Sequence, residues 1–153
     1  MRKGTCFVAL VTALLLVGAA PPAIASDAAR ADIKAALVQW MDDFNAGRAD
    51  KVCDLFARDL RADFRGQPER GYDALCGLLR RSLADRARAY SYALAIKEIL
   101  VWGDTAVVRL TWTLTVRPRD GGRVTTSVEP GLDVFRRQRD GHWRIVRYLA
   151  YAQ

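Results

Sequence analysis

Histidine occurs once in the 153 residues, cysteine three times and methionine twice. That supply yields no Cys/His cluster, so a zinc site has no support. No internal repeat, linker or low-complexity stretch divides the chain, which argues for one domain. No apolar run reaches the roughly 20 residues of a comfortable membrane span. Lysine and arginine (24) outnumber aspartate and glutamate (17), yet no aromatic-rich basic motif accompanies the excess. The arginines scatter over helices, strands and turns, so the charge reads as solvated surface and nucleic acid is not expected as a partner.

What the N-terminus does hold is an export pattern. Arg2 and Lys3 make a basic start, residues 7–17 are apolar, and Ala23-Ile24-Ala25 is a small-x-small cleavage site before Ser26. The expectation is a cleaved signal peptide over 1–25, a periplasmic or secreted protein, and no stable membrane anchor after cleavage. Cys6 precedes the apolar run and so is not placed as a lipoprotein cysteine. Removing 25 residues leaves 128, enough for one domain with a real core. Arg2 and Lys3 leave with the peptide and no acid does, which takes the formal charge from +7 to +5. Cys53 and Cys76 remain. In an oxidising compartment they form either one disulfide or two buried thiols acting as small apolar residues.

The mature chain opens on helical periodicity. Ile33, Ala36, Leu37, Trp40, Met41 and Phe44 give one apolar stripe, Ser26 or Asp27 can cap it, and Gly47 sits where a left-handed C-cap ends it. A short second helix is expected from Asp50, with Val52, Leu55 and Phe56 inward. A short strand follows over 61–65, then a loop over 66–71. A third helix is expected from Tyr72 to about Arg88, with Leu75, Leu78, Leu79 and Leu83 inward. From Tyr90 the period changes to two, with turns at Gly103-Asp104 and at 118–122.

The last third, 129–151, reads as a long antiparallel hairpin about the turn Arg139-Asp140-Gly141-His142. One position breaks its pattern. Asp133 lies between Leu132 and Val134, where a buried strand wants an apolar residue. Either it is a pocket carboxylate whose apolar walls raise its pKa, or it is a structural acid paired with Arg109 or Arg147. Tyr148 needs a hydroxyl partner if buried, and Asp133 across the hairpin is a candidate. His142, in the turn, reads as an exposed surface histidine. Helices first and hairpin-connected strands after them make an α+β fold, with three helices on one face of a curved antiparallel sheet.

Several local motifs carry a resemblance. They are Phe44-Asn45-Ala46-Gly47-Arg48-Ala49-Asp50 closing the first helix, Leu55-Phe56-Ala57-Arg58-Asp59 entering a strand, and Arg70-Gly71-Tyr72-Asp73-Ala74-Leu75 opening the third helix. Gly103-Asp104-Thr105-Ala106-Val107-Val108 and Asp140-Gly141-His142-Trp143-Arg144-Ile145 complete the set. In this order they resemble the nuclear transport factor 2-like superfamily, and within it the SnoaL-like and ketosteroid-isomerase-like members, from Ile33 to Tyr151. The resemblance implies a cystatin-like cone: a sheet wrapped round the first helix, an apolar cavity at its open end, and dimerisation through the outer sheet face. Ketosteroid isomerases use a carboxylate base, a tyrosine and a protonated aspartate. Those positions fall on Phe64 with Asp63 beside it, on Trp40, and on Asp133. Only the last matches, which argues against steroid isomerisation as that enzyme performs it.

Three readings follow. The leading one is an exported domain binding a small apolar or amphipathic molecule in a cavity lined by Trp40, Phe44, Phe64, Trp112, Asp133 and Tyr148, with no cofactor. For Trp40 and Phe44, plain core packing is the competing reading, and the facing of Phe64, Trp112 and Tyr148 depends on strand register. The second reading is an isomerase, cyclase or dehydratase using Asp133, alone or with Asp63, as acid and base. The third is an interaction module with a vestigial cavity, whose outer sheet face pairs with itself or with another chain; Val108, Leu110, Trp112 and Leu114 build that face unless they pack on the helices instead.

Overall fold

A computed structural model of the chain describes residues 22–151, with side chains from 27 onward. The basic start and apolar run of the expected export segment lie outside the described residues. Helix α1 spans Pro22–Asn45. It begins four residues before the expected cleavage point, so Asp27 lies inside the helix and pairs with Arg30 at 2.6 Å instead of capping. Its apolar stripe is buried: Ile33, Leu37, Trp40 and Phe44 have 7% exposure or less. Its end is a Schellman turn. Gly47 has φ +74°, its N–H reaches the Phe44 carbonyl, and the Arg48 N–H reaches that of Asp43, each at 2.9 Å.

The expected second helix is absent. Residues 46–55 are successive tight turns, with Lys51 N–H on Arg48 O and Asp54 N–H on Lys51 O. The carbonyls a helix would use are taken by tertiary partners. Trp40 Nε1 donates to Val52 O at 2.8 Å, and Ile145 N–H donates to Leu55 O at 2.9 Å. Strand β1 then runs Phe56–Phe64, longer than expected, and β2 is the pair Arg70–Gly71 leading into helix α2, Tyr72–Ala84. That helix stops four residues short of Arg88. The Asp85 carboxylate accepts from the N–H groups of Ala87 and Arg88, at 2.8 and 3.2 Å, and offers the chain a turn in place of another helical rung.

The rest is sheet: β3 Arg88–Trp102, β4 Thr105–Pro118, β5 Thr125–Arg137 and β6 Trp143–Ala150. The six strands lie in the order β2-β1-β6-β5-β4-β3, unclosed, with β1 parallel to β6 and every other pair antiparallel. Three irregularities bend it: one in β1 between Phe56 and Arg61, one in β3 between Ile96 and Glu98, and one where β5 passes β6. At the last, Phe135 faces Ile145 but Val134 faces Arg147, so Val146 is an extra residue in β6. Helix α1 crosses the inner face against β3, and α2 packs on β1. The architecture is therefore the expected α+β curved sheet, with two helices and a turn segment where three helices were predicted.

Facing follows from register, since cross-strand partners share a face. Val108, Leu110 and Trp112 are buried on the inner face, so they do not build the outer surface assigned to them from sequence. That surface carries Leu100, Val128 and Leu132 instead, each exposed. Cys53, in the turn segment, and Cys76, in α2, form a disulfide with Cα atoms 5.6 Å apart, which ties the turn to the helix. For a separation of 23 residues, replacing both by serine is expected to lower stability by about 3 kcal/mol. Urea unfolding of the double variant under oxidising conditions checks this; an unchanged midpoint would mean the bridge constrains nothing.

Candidate functional site

The inner face holds an apolar cavity walled by eleven side chains from α1, the turn segment, β1, α2, β3, β4 and β6. Six are aromatic: Trp40, Phe56, Phe64, Tyr92, Trp112 and Tyr148. Leu55, Leu75, Leu78, Leu79 and Ile145 complete it. About 50 Å³ is open to the centres of water-sized molecules, room for a few waters or one small fragment, so a larger ligand must displace side chains.

Each wall is fixed by what lies behind it. Trp40 is held by its bond to Val52 O, and its ring meets those of Trp112 at 5.1 Å, Phe44 at 5.5 Å and Tyr92 at 5.5 Å. Tyr92 is set on β3 by Asn45, whose side-chain amide donates to Tyr92 O and accepts from Tyr92 N–H, both at 2.8 Å. Phe64 and Tyr148 face each other at 5.3 Å, and the Arg70 guanidinium lies 5.0 Å from the Phe64 ring centroid.

Of the residues expected to line this cavity, Trp40, Phe64, Trp112 and Tyr148 do. Phe44 stands one layer back, packed on Trp40 and Tyr92. Asp133 is also not part of the lining. It lies directly opposite Tyr148 on β6 and Val108 on β4, fully buried, and neither carboxyl oxygen has a hydrogen-bond partner. The proposed ion pairs are not made. Arg109 bonds Glu98 at 3.2 Å, and Arg147 donates to the Val146 and Asp59 carbonyls. The proposed bond from Tyr148 is not made either, although the two residues are neighbours in register. Burial with nothing to offset it pushes the Asp133 carboxyl well above the ordinary carboxylate range. Desolvation, with the charge of Asp133 next in weight, does the same to the Tyr148 phenol.

Asp63 is elsewhere. Its strand neighbour is Leu149, which faces Leu132, and it is exposed on the outer face with them. It and Asp133 do not share a cavity. His142 is an exposed turn residue. Among the described residues no group of three His, Cys, Asp or Glu side chains is placed to hold a metal ion.

Sequence reasoning did not single out Glu129, which lies beside the site without being a wall residue. It sits opposite Trp112, half-buried on the inner face, and its position four residues before Asp133 on one strand was the available signal. Its carboxyl is pushed up by desolvation, partly offset by a hydrogen bond from Ser127.

This geometry agrees with the family comparison, in which the SnoaL-like domain model matches residues 37–148. The chain belongs to the SnoaL-like family. Solved structures with the same fold include a ketosteroid isomerase-like protein from Erwinia carotovora atroseptica, 25% identical over 80% of this chain and 94% of that one, with a TM-score of 0.65. A nuclear transport factor 2-like protein with a cystatin-like fold from Novosphingobium aromaticivorans is 22% identical over 86% of each chain, with a TM-score of 0.70. A candidate scytalone dehydratase from the same organism is 16% identical over 86% of this chain and 88% of that one, with a TM-score of 0.71. No curated protein matches the chain. As a SnoaL-like domain, it is related to dehydratases and isomerases through fold, and the fold hosts many chemistries.

Proposed function

We propose that this SnoaL-like domain is exported and binds a small, largely apolar molecule in the cavity of its cone. The observation that carries the reading is the wall itself: eleven side chains from seven parts of the fold converge on one space, and none of them is charged. Apolar walls with a few placed polar groups are how small-ligand sites are built. The Cys53–Cys76 disulfide supports an oxidising compartment. Trp40 and Trp112 report occupancy directly, because both rings line the space. Titration with neutral monocyclic aromatics is expected to give a saturable change in tryptophan emission. Leu78→Trp, which fills the cavity from α2, is expected to abolish it. No saturation in the wild type, or an unaltered response in the filled variant, sinks the reading.

The enzymatic alternative now rests on Asp133 alone, since Asp63 faces solvent. A proton-carrying carboxyl is a competent acid, but Asp133 is fully buried and is not a wall residue of the cavity. Self-association through the outer face has its own support in the exposed Leu100, Val128 and Leu132. Sedimentation of the wild type against Leu132→Lys tests that reading.

A further inference from the structure

The cavity's electrostatics run opposite to those of the chain. Lys and Arg number 24 and acids 17, yet no wall residue is charged, and the Arg70 guanidinium lies 5.0 Å from the Phe64 ring centroid. The inner face of β5 carries two carboxyls, neither of them a wall residue. Glu129 is opposite the wall residue Trp112 in register and half-buried on that face. Asp133, four residues further along β5 on the same face, is sealed and unpartnered.

Glu129 is bonded by Ser127 on its own strand and faces Trp112 on β4. Neither is a cation. An anion entering here would meet the Glu129 carboxyl and the negative faces of aromatic rings. A cation would meet ring faces that attract it and one half-buried carboxyl able to ionise beside it.

We propose that Glu129 is the polar selector of this cavity, and that the ligand it selects carries a protonated nitrogen on an apolar, ring-sized body. The inference rests on the cavity being a binding site, and it deepens that reading. The half-buried carboxylate and the ammonium form a pair that is neutral overall at the cavity's edge, with no bond made or broken. That pairing is what makes burial of the cation tolerable. Glu129 is also half-buried where Asp133 is sealed, so it can meet a ligand without opening the wall.

Three probes sharing one ring separate the outcomes: benzylammonium, benzyl alcohol and benzoate, each titrated against tryptophan emission of the protein and of Glu129→Gln. The expected result is benzylammonium binding about tenfold or more tightly than benzyl alcohol, benzoate weakest, and the ammonium-to-alcohol ratio falling close to one in the variant. Equal affinity for ammonium and alcohol in the wild type overturns the inference and leaves the binding site standing. So does a preference that survives in Glu129→Gln, or benzoate binding most tightly. No binding by any probe overturns the inference and the binding site together.

Discussion

Asp133→Asn is expected to stabilise the domain relative to the wild type as pH rises from acid to neutral. The Asp133 carboxyl is fully buried, has no hydrogen-bond partner, and is held protonated by desolvation. Its folded pKa therefore lies above the unfolded value near 3.9. Below that value both states carry the proton, and the acid imposes no pH-dependent penalty. Above it the unfolded chain ionises first, and wild-type stability falls by about 1.4 kcal/mol per pH unit until the folded pKa is reached. Asparagine has no proton to lose, so the gap opens with pH from about 4 upward. Any fixed cost of burying the amide shifts the curve without tilting it, which makes the slope the readout. Asp59, Asp85 and Asp140, whose carboxyls are held below their ordinary range by arginine and backbone donors, titrate alike in both proteins and cancel. Urea unfolding at several pH values measures the slope. A variant that weakens most at neutral pH would mean the acid is paired and ionised, against everything its surroundings show.

The second large effect is at Trp40. Replacement by alanine is expected to cost about 3–5 kcal/mol. The ring joins α1 to β1, β3 and β4 through Phe56, Tyr92 and Trp112, and its indole N–H occupies the Val52 carbonyl of the turn segment. Trp40→Phe separates the two contributions. It keeps much of the ring packing and drops the donor, leaving a buried carbonyl unmatched at about 1–3 kcal/mol. Thermal or urea unfolding of both variants checks the ordering. A loss of less than about 1 kcal/mol for alanine would mean that the helix is anchored to the sheet by something else. Core packing and cavity wall are not alternatives at this position. Trp40 does both, because one edge of the ring is packed and the other is open.

That double role marks the border of what the sequence discloses. Ile33, Leu37, Trp40 and Phe44 declare a helix face, and the alternations from Tyr90 onward declare strands, because each pattern is local. Asp133 declares itself as a polar residue in an apolar strand. Which aromatics reach the cavity is not local. Phe44 and Trp40 share one stripe, yet only Trp40 reaches the open space, since Tyr92 stands between Phe44 and it. Glu129 has the parity of Asp133 but sits just before Pro130-Gly131, where an alternation count loses its footing. The turns over 46–55 have a helical apolar spacing and became turns because Trp40 and Ile145, distant in sequence, capture their carbonyls. Asp63 follows the strand count faithfully. Being one residue from Phe64 puts it on the opposite face.

The extra residue at Val146 decides more than curvature. Continued unbroken from the Phe135–Ile145 pair, the ladder would set Asp133 against Arg147, and the interior would close on a guanidinium–carboxylate pair. With Val146 left out of the pairing, the count advances by one, Arg147 stands on the outer face, and the Tyr148 phenol takes its place. One unpaired residue therefore separates two different interiors: one closed by an internal salt, the other holding a carboxyl that has kept its proton. The phase of the ladder is what counts, since deleting Val146 would straighten the strand and still leave Val134 opposite Arg147 and Asp133 opposite the phenol.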